Sequence, residues 1–328
     1  MTSVSQLEQL RSCGTVIVCD TGDLESITRY DPQDCTTNPS LILSATQNPK
    51  YADLVEKAVR YGKDVGRDQQ EKTEIALDAV FVEIGCKILD LVPGRVSTEV
   101  DARLSFNKDE TIRRALRIVK LYEERGFSKE RVLIKIASTW EGIQAAKELE
   151  SVHGIHCNLT LLFSFVQAVA CAEANVTLIS PFLGRIMDFY KEKKGSEFSP
   201  EDDPGIKTVK DIYYYYKTFG YKTIVMGTCF RNNNELLAVA GIDSVTLPPK
   251  QLEEWKTTFG PVKRRLFPED TQLKPMEKIS YISDQAKFRF DMNENEMAVE
   301  KLSDGIRRFS VDNANLQKII EEKLESIV

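Results

Sequence analysis

Short apolar runs of four to seven residues, rich in valine, isoleucine and threonine, recur from one end of the chain to the other. They are VIVCD (16–20), QDCTT (33–37), RVSTEVD (95–101), VLIKIA (132–137), IHCNLT (155–160), VTLIS (176–180), KTIVMGT (222–228) and DSVTL (243–247), eight candidate strands. Between them lie segments of helical period. In DETIRRALRIVKLYEERG (109–126), Ile112, Ala115, Leu116, Val119 and Tyr122 form one apolar face. TWEGIQAAKELESVHG (139–154) and the longer KTEIALDAVFVEIGCKILDLV (72–92) read the same way. Strand and helix alternating in this way, with no low-complexity linker, predict a single α/β domain over residues 1–328 whose parallel sheet closes into a (βα)8 TIM-type barrel. A doubly wound open sheet is the rival, but it usually needs fewer strands per domain. Extra helices are expected at both termini. EMAVEKLSDGIRRFS and NANLQKIIEEKLESIV, from about residue 293 to 328, read as two helices packed on the outside, and residues 261–285 as an exposed loop.

In such a barrel, chemistry gathers at the C-terminal ends of the strands. The candidate strands place polar or ionisable residues there: Asp20, Asn38, Glu99 with Asp101, Lys135, Asn158 with Thr160, Ser180, Thr228 followed by Arg231, and Thr246. The period of a strand sends Asn158 and Thr160 to one side. The same alternation puts Lys135 on a face with Leu133 and Ala137, turned into the barrel, while Val132, Ile134 and Ile136 face the helices.

A lysine inside an apolar strand has two readings. Burial disfavours the ammonium, and the free amine is the form that attacks a carbonyl, so Lys135 fits a nucleophile. It equally fits a structural lysine paired with Glu99 or Asp101. Asp20 and Glu99 supply carboxylates on separate strands, as proton abstraction and relay require, or they are solvated strand-end acids. Arg185, in SPFLGR, Arg231, in GTCFRN, and Ser180 could together grip a phosphate, since the guanidinium fork matches its oxygens. Each arginine taken singly also fits an ordinary surface position.

Composition narrows the field further. Forty-four basic and fifty acidic residues, mixed along the chain, give a net charge of −6 and favour neither a nucleic-acid nor a membrane-surface partner. The N-terminal stretch lacks the apolar core of a secretory signal, and no run approaches the ~18 apolar residues of a membrane span. The seven cysteines are scattered without a CxxC pair. A soluble cytoplasmic protein with free thiols is the expectation. The two histidines cannot make a three-histidine metal site and serve Ser-His catalysis poorly, and no GxxxxGK[ST] or GxGxxG phosphate loop is present, which narrows the field.

The segments DCTTNPSL (34–41), VPGRVSTEVDARLSF (92–106), LIKIASTWEGI (133–143), CNLTLLFSF (157–165) and ISPFLGRI (179–186) resemble transaldolases. The resemblance runs from about Thr15 to about Phe309, includes DTGD (20–23) and AVEKLSDGIRRF (298–309), and is closer to the long form of that family than to the short bacterial form or the fructose 6-phosphate aldolases. It implies an (αβ)8 barrel, sugar-phosphate substrates, no metal or cofactor, and a monomer or homodimer. By the same resemblance Lys135 would form the Schiff base with a ketose phosphate, and Asp20 would take the C4 hydroxyl proton. Glu99 and Thr160 would position the water that moves protons. Thr36, Asn38, Asn158 and Ser180 would hold the three-carbon unit, Arg185 and Arg231 the phosphate, and Phe182 would help close the site. A lyase of the same fold and a sugar-phosphate-binding barrel without catalysis are the alternatives. The chain departs from the pattern at Thr228-Cys229, where many family members carry Ala-Ser, and at Phe189, where tryptophan is common.

Overall fold

A computed structural model describes residues 4–195, 198–273 and 276–326. Eight parallel strands close into a barrel in strict sequence order: β1 (Val16–Asp20), β2 (Asp34–Thr36), β3 (Val96–Glu99), β4 (Val132–Ala137), β5 (Cys157–Leu162), β6 (Leu178–Pro181), β7 (Ile224–Gly227) and β8 (Ser244–Leu247), with β8 pairing back onto β1. The predicted alternation is therefore the observed one. Side chains on the outer face of the strands, such as Val132, Ile134 and Ile136, join the large apolar layer under the helices. A small separate cluster of Val18, Leu133, Leu178 and Met226 fills the barrel interior. Lys135 lies two residues beyond Leu133, so the period of the strand turns it inward just above that plug.

Several strands begin one or two residues later than the apolar pattern suggests, and for β5 and β6 the local reason is plain. The helix Trp140–His153 ends with Gly154 in the left-handed region (φ 59°), and the Ile155 N–H turns back to the Leu149 carbonyl at 2.9 Å. This terminator consumes Ile155, and β5 starts at Cys157 instead. At its far end β5 carries a register shift between Leu159 and Leu162, with Leu161 at φ 52°. That bulge lets Leu161 reach the C-terminal helix, where a Cβ at Gly305 would stand 2.6 Å from Leu161 Cδ2. β6 starts at Leu178 because Thr177 is still in the connecting turn, its N–H on Glu150 Oε1 at 2.6 Å.

The two helices expected at the C-terminal end are one, Glu296–Ser326, since no residue between Phe309 and Asn313 breaks a helix. A further helix, Gln285–Asn293, lies ahead of it. The long helix lies outside the strands but crosses the end of the barrel where the strands terminate. It is fastened there by Asp312 to Ser40, Asn313 to Asp101 (3.3 Å) and Gln317 to Arg103 (2.7 Å). Among the described residues no helix is long and apolar enough to cross a membrane.

The helix Gln69–Leu89, between β2 and β3, is buried on nearly all sides. It approaches the helix Lys108–Glu124 so closely that a Cβ at Gly85 would fall 1.7 Å from Tyr122 Oη, the atom that hydrogen-bonds Thr98 of β3 at 2.6 Å. Gly85→Ala is therefore expected to destabilise the fold by about 1–3 kcal/mol, overpacking outweighing the better helix propensity of alanine. A urea midpoint equal to or above that of the unaltered protein would contradict this account of the helix spacing.

Candidate active site

Strand register assembles the centre of the site. Glu99 of β3, Lys135 of β4 and Asn158 of β5 are direct partners across adjacent strands, and Asp20 of β1 pairs with Thr36 of β2. All five point inward, so the closure of the barrel brings together residues that are far apart in the chain. Asp20, Thr36 and Lys135 open onto a cavity of about 150 Å³ at the C-terminal end of the strands. Its lining includes Asp20, Thr36, Asn38, Lys135, Thr160, Ser180, Phe182 and Arg185, eight of the residues singled out from sequence. A larger cavity, about 460 Å³, opens at the opposite end of the barrel. In its lining Lys217 bonds Asp243 at 2.6 Å and Asp34 accepts the Arg95 backbone N–H at 2.8 Å. The mouth cavity is lined by two buried polar atoms without partners, the Thr160 hydroxyl and Arg185 Nη1.

Lys135 is buried. Its Nζ donates to the Thr37 carbonyl at 3.0 Å, lies 3.1 Å from Glu99 Oε2, and sits 5.8 Å from the centre of the Phe309 ring. The approach to Oε2 is that of an ion pair without hydrogen-bond alignment, so this oxygen has no well-aimed donor. Burial pushes the Glu99 carboxyl above its usual range, and the Lys135 charge only partly opposes that. Asp20 is raised for the same reason in the same order, burial first and Lys135 against it. The two carboxyls thus lie beside one amine in a site where holding a proton costs little.

A hydroxyl chain fixes Asp20. Thr246 stands 2.7 Å from Thr36, and the Thr36 hydroxyl donates to Asp20 Oδ1 at 2.8 Å. Asn158 is held by two serines: its Nδ2 donates to Ser97 Oγ (3.1 Å) and its Oδ1 accepts from Ser180 Oγ (2.6 Å). Asn38 caps the helix Pro39–Thr46, accepting the Leu41 N–H at 3.0 Å. The Thr160 hydroxyl is buried with no hydrogen-bond partner, as is Nη1 of Arg185, whose guanidinium lies 5.0 Å from the Phe182 ring centre. Buried polar atoms are rarely left unpaired, and two such atoms facing one cavity mark places where a polar ligand can bind.

Three expected site residues stand apart from the lining. Glu99 and Asn158 act on the cavity through Lys135 and Ser180. Arg231 lies beyond the rim, with its Nε and Nη2 on Asp188 Oδ2 at 3.0 and 2.8 Å. Cys229, at one of the departures from the family pattern, lines the cavity with φ 60°. Burial raises its thiol despite the nearby Arg185 charge, so it meets the cavity as a neutral SH. Phe309, Ser40, Met226 and Ser97 complete the surroundings without having been singled out. Ser97 was readable, because it lies two residues before Glu99 and shares its face. Phe309 carried no such signal, since helical period does not say which neighbour a face will meet.

The model of the transaldolase/fructose-6-phosphate aldolase family matches residues 17–320. The chain belongs to that family. It is 59% identical to a transaldolase of Saccharomyces cerevisiae over 320 residues, covering 98% of this chain and 96% of the relative. It is 57% identical to a transaldolase of Schizosaccharomyces pombe, covering 98% and 100%, and 54% identical to one of Homo sapiens, covering 98% and 94%. As a family member the chain is a transferase on a barrel scaffold, and the cavity described above opens at the C-terminal ends of its strands.

One carboxyl beside the site gives a pH signature. Glu235 is buried, accepts the Arg231 N–H on Oε2 at 2.7 Å, and leaves Oε1 without a partner. Burial pushes its carboxyl up to about 7, with Asp203 and Asp188 raising it further and Arg231 opposing. The folded value lies above the ordinary 4.5, so the stability this group contributes is present below pH 4.5 and lost as pH rises through about 7. Glu235→Gln keeps the acceptor and is expected to remove roughly 1–2 kcal/mol of the stability lost between pH 5 and 8. Urea midpoints that fall equally in both proteins over that window would refute the assignment.

Proposed function

We propose that the chain is a transaldolase of the pentose phosphate pathway's non-oxidative branch, which moves a dihydroxyacetone unit from sedoheptulose 7-phosphate to glyceraldehyde 3-phosphate through a Schiff base on Lys135. The products are erythrose 4-phosphate and fructose 6-phosphate. The observation that carries the mechanism is an inward-facing buried lysine 3.1 Å from Glu99, in a small cavity it shares with Asp20. Glu99 accepts a proton from the Lys135 ammonium, which frees the amine to add to the C2 carbonyl of the ketose. Loss of water from the carbinolamine needs protons moved in both directions, and Glu99 with the unpartnered Thr160 hydroxyl supplies the acceptor and the site for a relaying water.

The protonated imine then acts as an electron sink. Asp20, oriented by Thr36, removes the C4 hydroxyl proton, the C3–C4 bond breaks, and the electron pair settles on the imine as an enamine while the aldose leaves. Asn38, Asn158 and Ser180 are suited to the hydroxyls of the retained unit. Arg185 offers its unpartnered Nη1 to the phosphate. Phe182 and Phe309 keep water from the enamine until an aldose phosphate arrives. All seven cysteines are free, which supports a reducing compartment and a cytoplasmic location.

Borohydride added with fructose 6-phosphate is expected to fix a three-carbon adduct on Lys135, seen as a gain in intact mass and located by peptide mapping. Lys135→Met should form no adduct, and Asp20→Asn should instead trap the uncleaved six-carbon ketose phosphate while losing ~10²–10⁴-fold in turnover. An unchanged mass in the unaltered protein would overturn the mechanism. Release of free dihydroxyacetone without transfer to erythrose 4-phosphate would make the enzyme a lyase.

A further inference from the structure

Arg185 and Arg231 differ in how they are held. Arg185 lines the mouth cavity with a buried, unpartnered Nη1, whereas Arg231 is engaged. Both Nε and Nη2 of Arg231 donate to a single oxygen, Asp188 Oδ2, and Nη1 reaches the Cys229 carbonyl at a long 3.3 Å. Asp188 lies three residues after Arg185 on the helix Leu183–Lys194, so the two share a face about one turn apart.

The backbone carrying Arg231 has little room to shift. The Leu183 N–H holds the Thr228 carbonyl at 3.1 Å, and the Arg231 N–H is held by Glu235. Gly184 lets the loop lie against the helix: a Cβ there would stand 2.2 Å from the Cys229 carbonyl oxygen and 2.7 Å from Arg231 Cγ. With the loop pinned, the direction of the guanidinium depends on its side-chain torsions, and Asp188 sets those. The Asp188 and Arg231 side chains are 43% and 39% exposed, so the pair contributes little to fold stability and its effect is geometric.

We propose that Asp188 is a positioning residue for phosphorylated substrates. It holds the Nε–Nη2 edge of Arg231 so that the Nη1 side, resting on cavity-lining Cys229, meets a phosphate already seated on Arg185. This rests on the transaldolase reading and assigns its phosphate selectivity to a carboxylate that does not touch the substrate. A guanidinium fixed on one edge presents the other without first losing side-chain freedom, which is why the second arginine is worth orienting.

The test compares fructose 6-phosphate with unphosphorylated fructose as donor, using erythrose 4-phosphate as acceptor, in the unaltered enzyme and in Asp188→Asn, Asp188→Ala and Asp188→Glu. Asp188→Asn and Asp188→Ala are expected to raise KM for fructose 6-phosphate on the order of tenfold, with kcat little changed. The kcat/KM for fructose should be unaffected, and Asp188→Glu should recover part of the loss. An unchanged KM for fructose 6-phosphate overturns the proposal. So does a lower one, which would mean that Asp188 competes with phosphate, and so does an equal loss on both donors, which would mean a merely structural role. The borohydride adduct on Lys135 of the unaltered enzyme reports separately on the transaldolase reading.

Discussion

A lysine and a glutamate placed side by side inside a closed barrel, with an aspartate on the strand across, determine most of what this molecule must be. Removing these groups from water is costly, and their mutual attraction repays that only where geometry is tightly held. The hydrogen-bonded register of β3 and β4 holds it, because Glu99 and Lys135 are direct partners and cannot slide without breaking the ladder. Below them the apolar plug of Val18, Leu133, Leu178 and Met226 keeps solvent from reaching the pair from the other end. The scaffold therefore spends stability to keep three ionisable groups in a dry place, which is what a carbonyl-trapping amine with its proton acceptors needs.

Much of this was legible in the chain itself. Two-residue alternation put Lys135 inside with Leu133, and the apolar runs marked all eight strands, because both follow from the pleat alone. The boundaries of β5 and β6 were not, since they depend on how the preceding helix or turn uses its last N–H groups, as Ile155 and Thr177 show. Residue types at the strand ends gave Asp20, Asn38 and Thr160 as candidates. The ambiguity of Lys135 between ion pair and nucleophile could not be removed by spacing: it is in an ion pair with Glu99, and in the proposed mechanism that pairing is also the route by which its proton leaves. The engagement of Arg231 with Asp188 was hidden for a different reason, namely that it joins two loops whose relative position only the closed barrel defines.

The arrangement also divides its labour by rigidity. The groups proposed to handle protons sit on strands, where the backbone is fixed by neighbours on both sides. Groups suited to phosphate sit on or beside the helix Leu183–Lys194, whose first turn is docked against the loop after β7. In the proposed reading, proton handling and phosphate recognition thus rest on different elements of the fold, so a change such as Thr228-Cys229 can alter the second without disturbing the first.

The helix Glu296–Ser326 brings Phe309 over an amine whose partners were synthesised long before it. On the ribosome, a chain that has emerged through β8 has every strand the barrel needs, yet its mouth is still open above Lys135. Covering the Lys135 amine therefore waits on the docking of the helix Glu296–Ser326, which follows all eight strands in the chain.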